Sequence, residues 1–248
     1  MRALVIIPTY NERENIELIV PQVRAAADVD VLVADDASPD GTGKLAEDLS
    51  AADPRVHVLH RAGKEGLGRA YVAGFHWALE RDFTHVVEMD ADGSHQASQL
   101  PLLLRRADSV DHPALVIGSR WVPGGKIVNW PKHRELLSRG GNLYVKLWLG
   151  LPAHDATAGF RVYTREILQQ IDLDDVGAAG YFFQVEMTRR TLLAGGKVVE
   201  VPITFVERER GESKMSGDIV REAMLTTTML GLRHRLDQVR QAVRRPRN

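Results

Sequence analysis

Apolar and polar positions alternate in two distinct rhythms along the first half of the chain. Short unbroken apolar runs, "ALVIIP" (3–8), "VDVLVAD" (29–35), "RVHVLH" (55–60), "THVVEMD" (84–90) and "ALVIGS" (114–119), have the length and β-branched content of buried strands. Between them lie segments with helical spacing at 14–27, 43–52, 68–81 and 97–107. Repeated strand–helix units predict a parallel sheet covered by helices on both faces.

The second half is less regular. Residues 120–133 are rich in Gly, Pro and Trp and read as a long loop, and 134–150 reads as a helix that grows apolar toward "YVKLWLGL". A helix over 180–196 closes at Gly195, and 197–208 reads as two strands or one bent strand broken at Pro202. Over 218–243, Leu225, Met229, Leu232, Leu236, Val239 and Val243 step by four and three residues, which predicts a long amphipathic helix. The expected division is a main domain over 1–217 and a basic helix and tail over 218–248.

Polar motifs punctuate the strand ends. "PTYNE" follows the first strand, "DDASPDGT" the second, "DADGSH" the fourth and "GSRWVPGG" the fifth. Parallel strands deliver all four motifs to one edge, where ligands of such sheets bind. This shared position says more than any one motif.

Asp90 and Asp92 bring two carboxylates, separated by Ala91, to the mouth of an apolar strand. A hard dication bridging them to a polyphosphate would reverse their repulsion. The plain structural alternative is an Asx-turn capping the helix at 97–107, which accounts for one carboxylate but not both. His95 stands nearby as a solvent-facing or hydrogen-bonded side chain. No His or Cys spacing suggests a zinc site.

In "DDASPDGT", Ser38, Asp40 or Thr42 is expected to cap the following helix, leaving Asp35 and Asp36 for a base or ribose. The glycines of "GKEGLGRAY" (63–71) either admit a phosphate or simply loosen a helix start. "ERERGESKM" (207–215) is either a solvated charge run or a basic loop that closes over a diphosphate.

The net charge of −1 gives no footprint for nucleic acid, although the tail from Arg233 to Asn248 is strongly basic. Cys is absent, which fits a reducing compartment. The N-terminal apolar run is too short for a secretory signal, and no stretch suits a membrane-spanning helix.

The set "PTYNERENI", "DDASPDGT", "GLGRAY", "MDADGSH", "GSRW", "NWP", "DATAGFRVY", "GYFFQVEM" and "VPITFVERERGESKM" resembles, in order, the polyprenol-phosphate (dolichol-phosphate) mannose synthases over roughly residues 3–217. That resemblance implies an α/β fold of GT-A (Rossmann-like) type and inverting transfer of mannose from GDP-mannose to polyprenyl phosphate. Alternatives on the same scaffold are UDP-glucose or another nucleotide sugar as donor, or a non-catalytic subunit that binds nucleotide sugar or lipid phosphate. By resemblance, Asp90 and Asp92, with Ser94, hold Mg²⁺ or Mn²⁺. Pro8, Tyr10, Glu12, Asp36 and Ala91 line the nucleotide. Arg120, Arg134 and Ser138 grip the acceptor phosphate, and Arg208 and Lys214 engage the phosphates from the basic loop. The implied partners are GDP-mannose, the polyprenyl phosphate lipid, and a membrane surface or membrane-bound partner protein. The implied location is cytoplasmic, peripheral at the inner face of the membrane.

Overall fold

Strand β1 (Ala3–Thr9) runs through the middle of the molecule, and its two faces feed two separate cores. The computed structural model describes residues 1–176, 182–208 and 227–228. Because side chains alternate along a strand, Leu4 and Ile6 enter one core with Leu32, Tyr71, Phe75 and Leu115. Ala3, Val5 and Ile7 enter the other with Ile16, Val20, Val33, Met89 and Val116. A strand buried on both faces must be apolar at every position, which is why the run is unbroken.

The remaining strands are β2 (Asp30–Asp35), β3 (Val56–His60), β4 (His85–Glu88), β5 (Leu115–Ser119), β6 (Lys126–Val128), β7 (Arg161–Thr164), β8 (Val198–Pro202) and β9 (Thr204–Val206). Six of them join β1 in one sheet, in the order β3-β2-β1-β4-β7-β5-β8. The expected parallel sheet is present with one exception: β7 runs antiparallel to both β4 and β5. Strands β6 and β9 form a separate parallel pair at the edge where the polar motifs lie. The segment expected as loop over 120–133 therefore contains a strand, because β9 arrives to pair with it.

Helices α1 (Arg13–Ala26), α2 (Thr42–Ala52), α3 (Leu67–Leu79), α4 (Leu100–Ala107), α5 (Lys132–Leu149), α6 (Arg165–Gln170) and α7 (Phe182–Leu193) cover the sheet. Helix α1 buries Ile16, Ile19, Val20 and Val23, the i, i+3, i+4, i+7 stripe of an amphipathic helix. The expected helix at 97–107 opens as a single 3₁₀ turn, Ala97–Gln99, before α4. Helix α6 opens on Thr164, whose side chain accepts from the Ile167 N–H. The two short strands expected around Pro202 are β8 and β9. The expected helix at 218–243, the domain boundary at 217 and Lys214 lie outside the described residues, apart from 227–228.

Candidate active site

The loops after β1 and β2 are laced together. The Asn11 N–H donates to Ser38 Oγ at 3.0 Å, the Glu12 N–H to Thr42 Oγ1 at 3.0 Å and the Arg13 N–H to Asp40 Oδ2 at 3.2 Å. Backbone donors at the start of α1, which the helix itself cannot satisfy, thus find acceptors on the neighbouring loop. The expected capping of α2 is a lesser part of this: Asp40 Oδ1 also accepts from the Thr42 N–H at 3.0 Å.

Asp35 and Asp36 are not spare, contrary to the expectation from sequence. Asp35 Oδ1 accepts from Thr9 Oγ1 at 2.9 Å, and its Oδ2 accepts from the Ser38 N–H at 3.1 Å. Asp36 is buried against the Arg61 guanidinium, which reaches on to Glu65 at 2.6 Å. Burial pushes the Asp36 carboxyl above its ordinary pKa, and Arg61 offsets this only in part. Pro8 pairs with Ala34 in the sheet, Lys64 sits over the Tyr10 ring at 4.4 Å, and Glu12 accepts from Asn15 at 2.7 Å. Gly66, at φ 100°, starts α3 in a conformation that L side chains avoid. These residues frame one side of the sheet edge.

The acidic pair follows β4. Asp90 accepts from the Tyr71 hydroxyl at 3.2 Å, and its N–H donates to His95 Nδ1 at 3.1 Å. That bond fixes the tautomer, leaving the His95 proton on Nε2. His95 is buried, stacked on Phe160 at 5.2 Å and edge-on to Phe205 at 5.5 Å. Burial lowers its pKa, so the ring is neutral and the hydrogen-bonded alternative for His95 holds. Burial raises the Asp90 pKa and Asp92 adds repulsion, against the opposing pull of His95, Tyr71 and Arg208. Desolvation by its apolar surroundings, above all, drives the Tyr71 hydroxyl well above its usual value.

Asp92 forms the Asx-turn weighed from the sequence but not the helix cap. Its Oδ1 accepts from the Ser94 N–H at 3.0 Å, an Asx-turn, but no side chain caps the helical turn that follows. Its Oδ2 meets Arg208 Nη1 at 3.1 Å. Ser94 is buried and its carbonyl accepts from the Val206 N–H at 3.2 Å, and Ala91 is buried beside it. Among the described residues no cluster of three or more His, Cys, Asp or Glu could cage a metal. Two adjacent carboxylates suit a hard dication that takes its remaining oxygens from a substrate's phosphates and water, so the donor set fits Mg²⁺ or Mn²⁺.

The second cluster follows β5. Arg120 is buried, and its Nε and Nη2 grip Asp155 at 2.8 and 2.7 Å while its own N–H donates to Asp155 at 2.9 Å. Burial pushes the Asp155 pKa up, but Arg120 more than cancels this and the net shift is downward. The chain turns sharply after Arg120, and a Cβ on Gly125 would lie 2.6 Å from the Arg120 carbonyl oxygen. Helix α5 contributes Arg134, Ser138 and Asn142, one turn apart on one face. Asn142 donates to the Ser138 carbonyl at 3.0 Å and to Thr157 Oγ1 at 3.1 Å, tying the helix to the Arg120–Asp155 pair. Arg134 Nη1 bonds both carboxylate oxygens of Glu207, at 2.7 and 2.6 Å.

Strand β9 joins the two clusters. It pairs with β6, takes a bridge from His95 through Phe205, and ends in Glu207 and Arg208, one reaching Arg134 and the other Asp92. The structure thus gathers every described residue expected in the site at one sheet edge. It adds Tyr71, Asn142, Asp155, Thr157 and Glu207, which the sequence did not single out. Tyr71 lies inside the quoted motif "GLGRAY", Asp155 and Thr157 inside "DATAGFRVY" and Glu207 inside "VPITFVERERGESKM", which was the only signal for them; Asn142 lies in none.

A mainly parallel sheet with one reversed strand, an acidic pair at the end of β4 and a laced pair of loops beside it define a GT-A-type nucleotide-sugar transferase. Residues 4–172 match the family model Glycosyl transferase family 2, and the chain belongs to that family. It is 57% identical over 241 residues to undecaprenyl-phosphate mannosyltransferase of Micrococcus luteus, covering 97% of this chain and 98% of that one. It is 56% identical over 246 residues to polyprenol monophosphomannose synthase of Mycolicibacterium smegmatis, covering 98% and 92% of the two chains. Among solved structures, glucosyl-3-phosphoglycerate synthase of Mycobacterium tuberculosis with Mn²⁺ and UDP matches with TM-score 0.66 at 19% identity, over 93% of this chain and 78% of that one. A mannosyltransferase of Pyrobaculum calidifontis with GDP-mannose and Mn²⁺ matches with TM-score 0.55 at 19% identity, over 94% and 74%. The two structures share the fold.

Proposed function

We propose that this protein transfers mannose from GDP-mannose to polyprenyl phosphate with inversion, giving polyprenyl β-mannosyl phosphate and GDP. The observation that carries the proposal is the pairing of an acidic cluster and an arginine cluster within reach of two consecutive residues, Glu207 and Arg208. One cluster suits a diphosphate and its counter-ion, the other a second phosphate. The extensive identity to two curated polyprenyl-phosphate mannosyl transferases supports the same substrates.

The nucleophile is a phosphate oxygen. A phosphate monoester is largely ionised near neutral pH, so no carboxylate base has to take a proton. The site's work is positioning and charge handling. Mg²⁺ or Mn²⁺ held by Asp90 and Asp92 would supply positive charge at the departing diphosphate. Tyr71 and His95 fix the Asp90 carboxylate and backbone. Arg208, now at Asp92, would engage a diphosphate oxygen. Arg134 and Arg120 orient the acceptor phosphate, with Ser138 as a further donor, while Pro8, Tyr10, Glu12, Asp36 and Ala91 surround the nucleotide.

A lipid acceptor must be met at a bilayer or through a membrane-bound partner. No helix among the described residues is long and apolar enough to cross a membrane. Helix α5 instead exposes Leu136 and Leu143 on one face, 73% and 57% accessible, close to Lys132, Arg139 and Lys146. Such a face suits peripheral contact with an anionic headgroup layer.

The test is direct. Purified protein is incubated with labelled GDP-mannose, polyprenyl phosphate and Mn²⁺, then extracted with organic solvent. Label in the lipid phase, competed by GDP and not by UDP-glucose, is the expected result. Label confined to the aqueous phase would overturn the proposal.

A further inference from the structure

Two neighbouring shielded N–H donors in the arginine cluster have no acceptor among the described residues, and the Trp121 indole Nε1 beside Arg120 is a third. The Trp130 indole Nε1 and the Arg134 Nε are both closed off from solvent, and neither hydrogen-bonds to anything among the described residues. Their side chains are in contact, with the Arg134 guanidinium 4.9 Å from the centre of the Trp130 ring. Arg120 approaches the same ring at 5.4 Å. Phe205 packs edge-on against Trp130 at 5.3 Å, and through β9 and β6 it holds the indole in place.

Folded proteins leave very few buried donors unpaired, and each exception calls for a physical reason. Apolar ligands would leave both donors unmet, and a cation would be repelled by the two guanidinium groups. A neutral water could serve the donors but would gain little from those charges. An oxyanion satisfies all the conditions at once, because it offers several lone pairs and carries the opposite charge. The cluster also explains why an indole suits this place. Its face holds the arginines by cation–π attraction while its edge keeps one rigid donor.

We propose that Trp130 is a further binding residue for the acceptor phosphate, its indole N–H donating to a phosphate oxygen beside Arg134 Nε. This rests on the assignment of Arg134 to the acceptor. It makes the site selective for a phosphate monoester by a donor that no lysine or arginine substitution would reproduce.

The experiment compares W130F and R134A with the wild-type full chain. W130F keeps a smaller aromatic face for the arginines and deletes the donor. The acceptor KM should rise roughly tenfold, as for loss of a hydrogen bond to a charged group, with GDP-mannose KM and Tm little changed. In parallel, indole ¹⁵N–¹H spectra of Mg²⁺-loaded protein are followed during titration with a short-chain isoprenyl phosphate, inorganic phosphate or GDP. The Trp130 proton should move downfield with the isoprenyl phosphate, less with inorganic phosphate, and not with GDP. Should W130F fail to fold, variants at Trp77, Trp121 and Trp148 assign the signal by elimination. An unmoved Trp130 signal at saturating isoprenyl phosphate would overturn the proposal, as would an unchanged acceptor KM in folded W130F. If R134A raises acceptor KM while W130F does not, Trp130 alone is misassigned. If neither changes it, the acceptor assignment itself falls.

Discussion

Arg208 Nη1 lies 3.1 Å from Asp92 Oδ2, so the carboxylate best placed to hold a dication already holds a guanidinium. With the proposed metal site, a side-chain cation and a metal ion would compete for one oxygen. Replacing Arg208 by Ala should strengthen binding of Mn²⁺ alone by about tenfold, because a charge-assisted hydrogen bond of roughly 1.5–3 kcal/mol no longer opposes it. Turnover should fall in the same variant, since the diphosphate loses a cation. A Mn²⁺ titration followed by electron paramagnetic resonance checks the first effect, and a single-turnover assay the second. Weaker Mn²⁺ binding in the variant would contradict the competition.

The preceding residue plays the mirror role. Glu207 occupies Arg134 Nη1 through both carboxylate oxygens, as a phosphate would. On the proposed role of Arg134, an acceptor phosphate must displace it, and that requirement reduces the apparent affinity by the fraction of sites already free. E207Q keeps the shape and weakens the hold. The expected result is an acceptor KM lower by roughly threefold, with GDP-mannose KM unchanged. A higher acceptor KM would mean that Glu207 aims Arg134 and does not compete with the ligand.

Asp92→Ala removes the half of the acidic pair that faces Arg208 while sparing the Asp90–Tyr71 and Asp90–His95 bonds that tie the loop to the core. Turnover should fall by about 10²–10³ or more, the range seen when one preorganised electrostatic group is deleted. The thermal unfolding midpoint should stay close to that of the parent. Near-normal turnover at saturating Mn²⁺ would remove Asp92 from the metal-binding role.

The strands up to β5 and the position of each polar motif were legible because a doubly covered parallel strand must be apolar throughout, and its end must be polar where it meets a ligand. Strand β7 was not. Its four residues include Arg161, which is fully buried and pays for its charge by donating to the Ala156, Ala158 and Gln184 carbonyls. An arginine in a short run reads as a surface residue until those carbonyls are seen around it. The acidic pair could be read from its place at a strand end. The partners of the arginines could not, since Arg120 meets Asp155 across 35 residues and Arg134 meets Glu207 across 73. Nothing local in the sequence marks such pairings. The supposed freedom of Asp35 and Asp36 failed for the same reason, because Thr9 and Arg61 come from other strands' ends.

The Arg120–Asp155 pair sets a limit on how the site survives acid. Both side chains are buried, and Asp155 accepts three hydrogen bonds from Arg120. Burial alone would raise the Asp155 pKa, but Arg120 brings it below the ordinary 3.8. In the acid range the unfolded chain therefore binds more protons at this position than the folded one, and stability rises with pH. The contribution is complete above the unfolded value and is lost as pH falls through the folded one. D155N removes the titration and leaves Arg120 buried without its countercharge, a change that costs roughly 3–5 kcal/mol. At pH 7 the midpoint should drop by roughly 6–20 °C, given about 2–4 °C per kcal/mol for a chain of this length. Below the ordinary aspartate pKa the gap between parent and variant should narrow, because the unfolded parent then binds a proton at Asp155 that the folded parent does not. Melting curves at pH 7 and near pH 3 check both statements, and a gap that stayed constant between them would show that the Asp155 charge does not stabilise the fold.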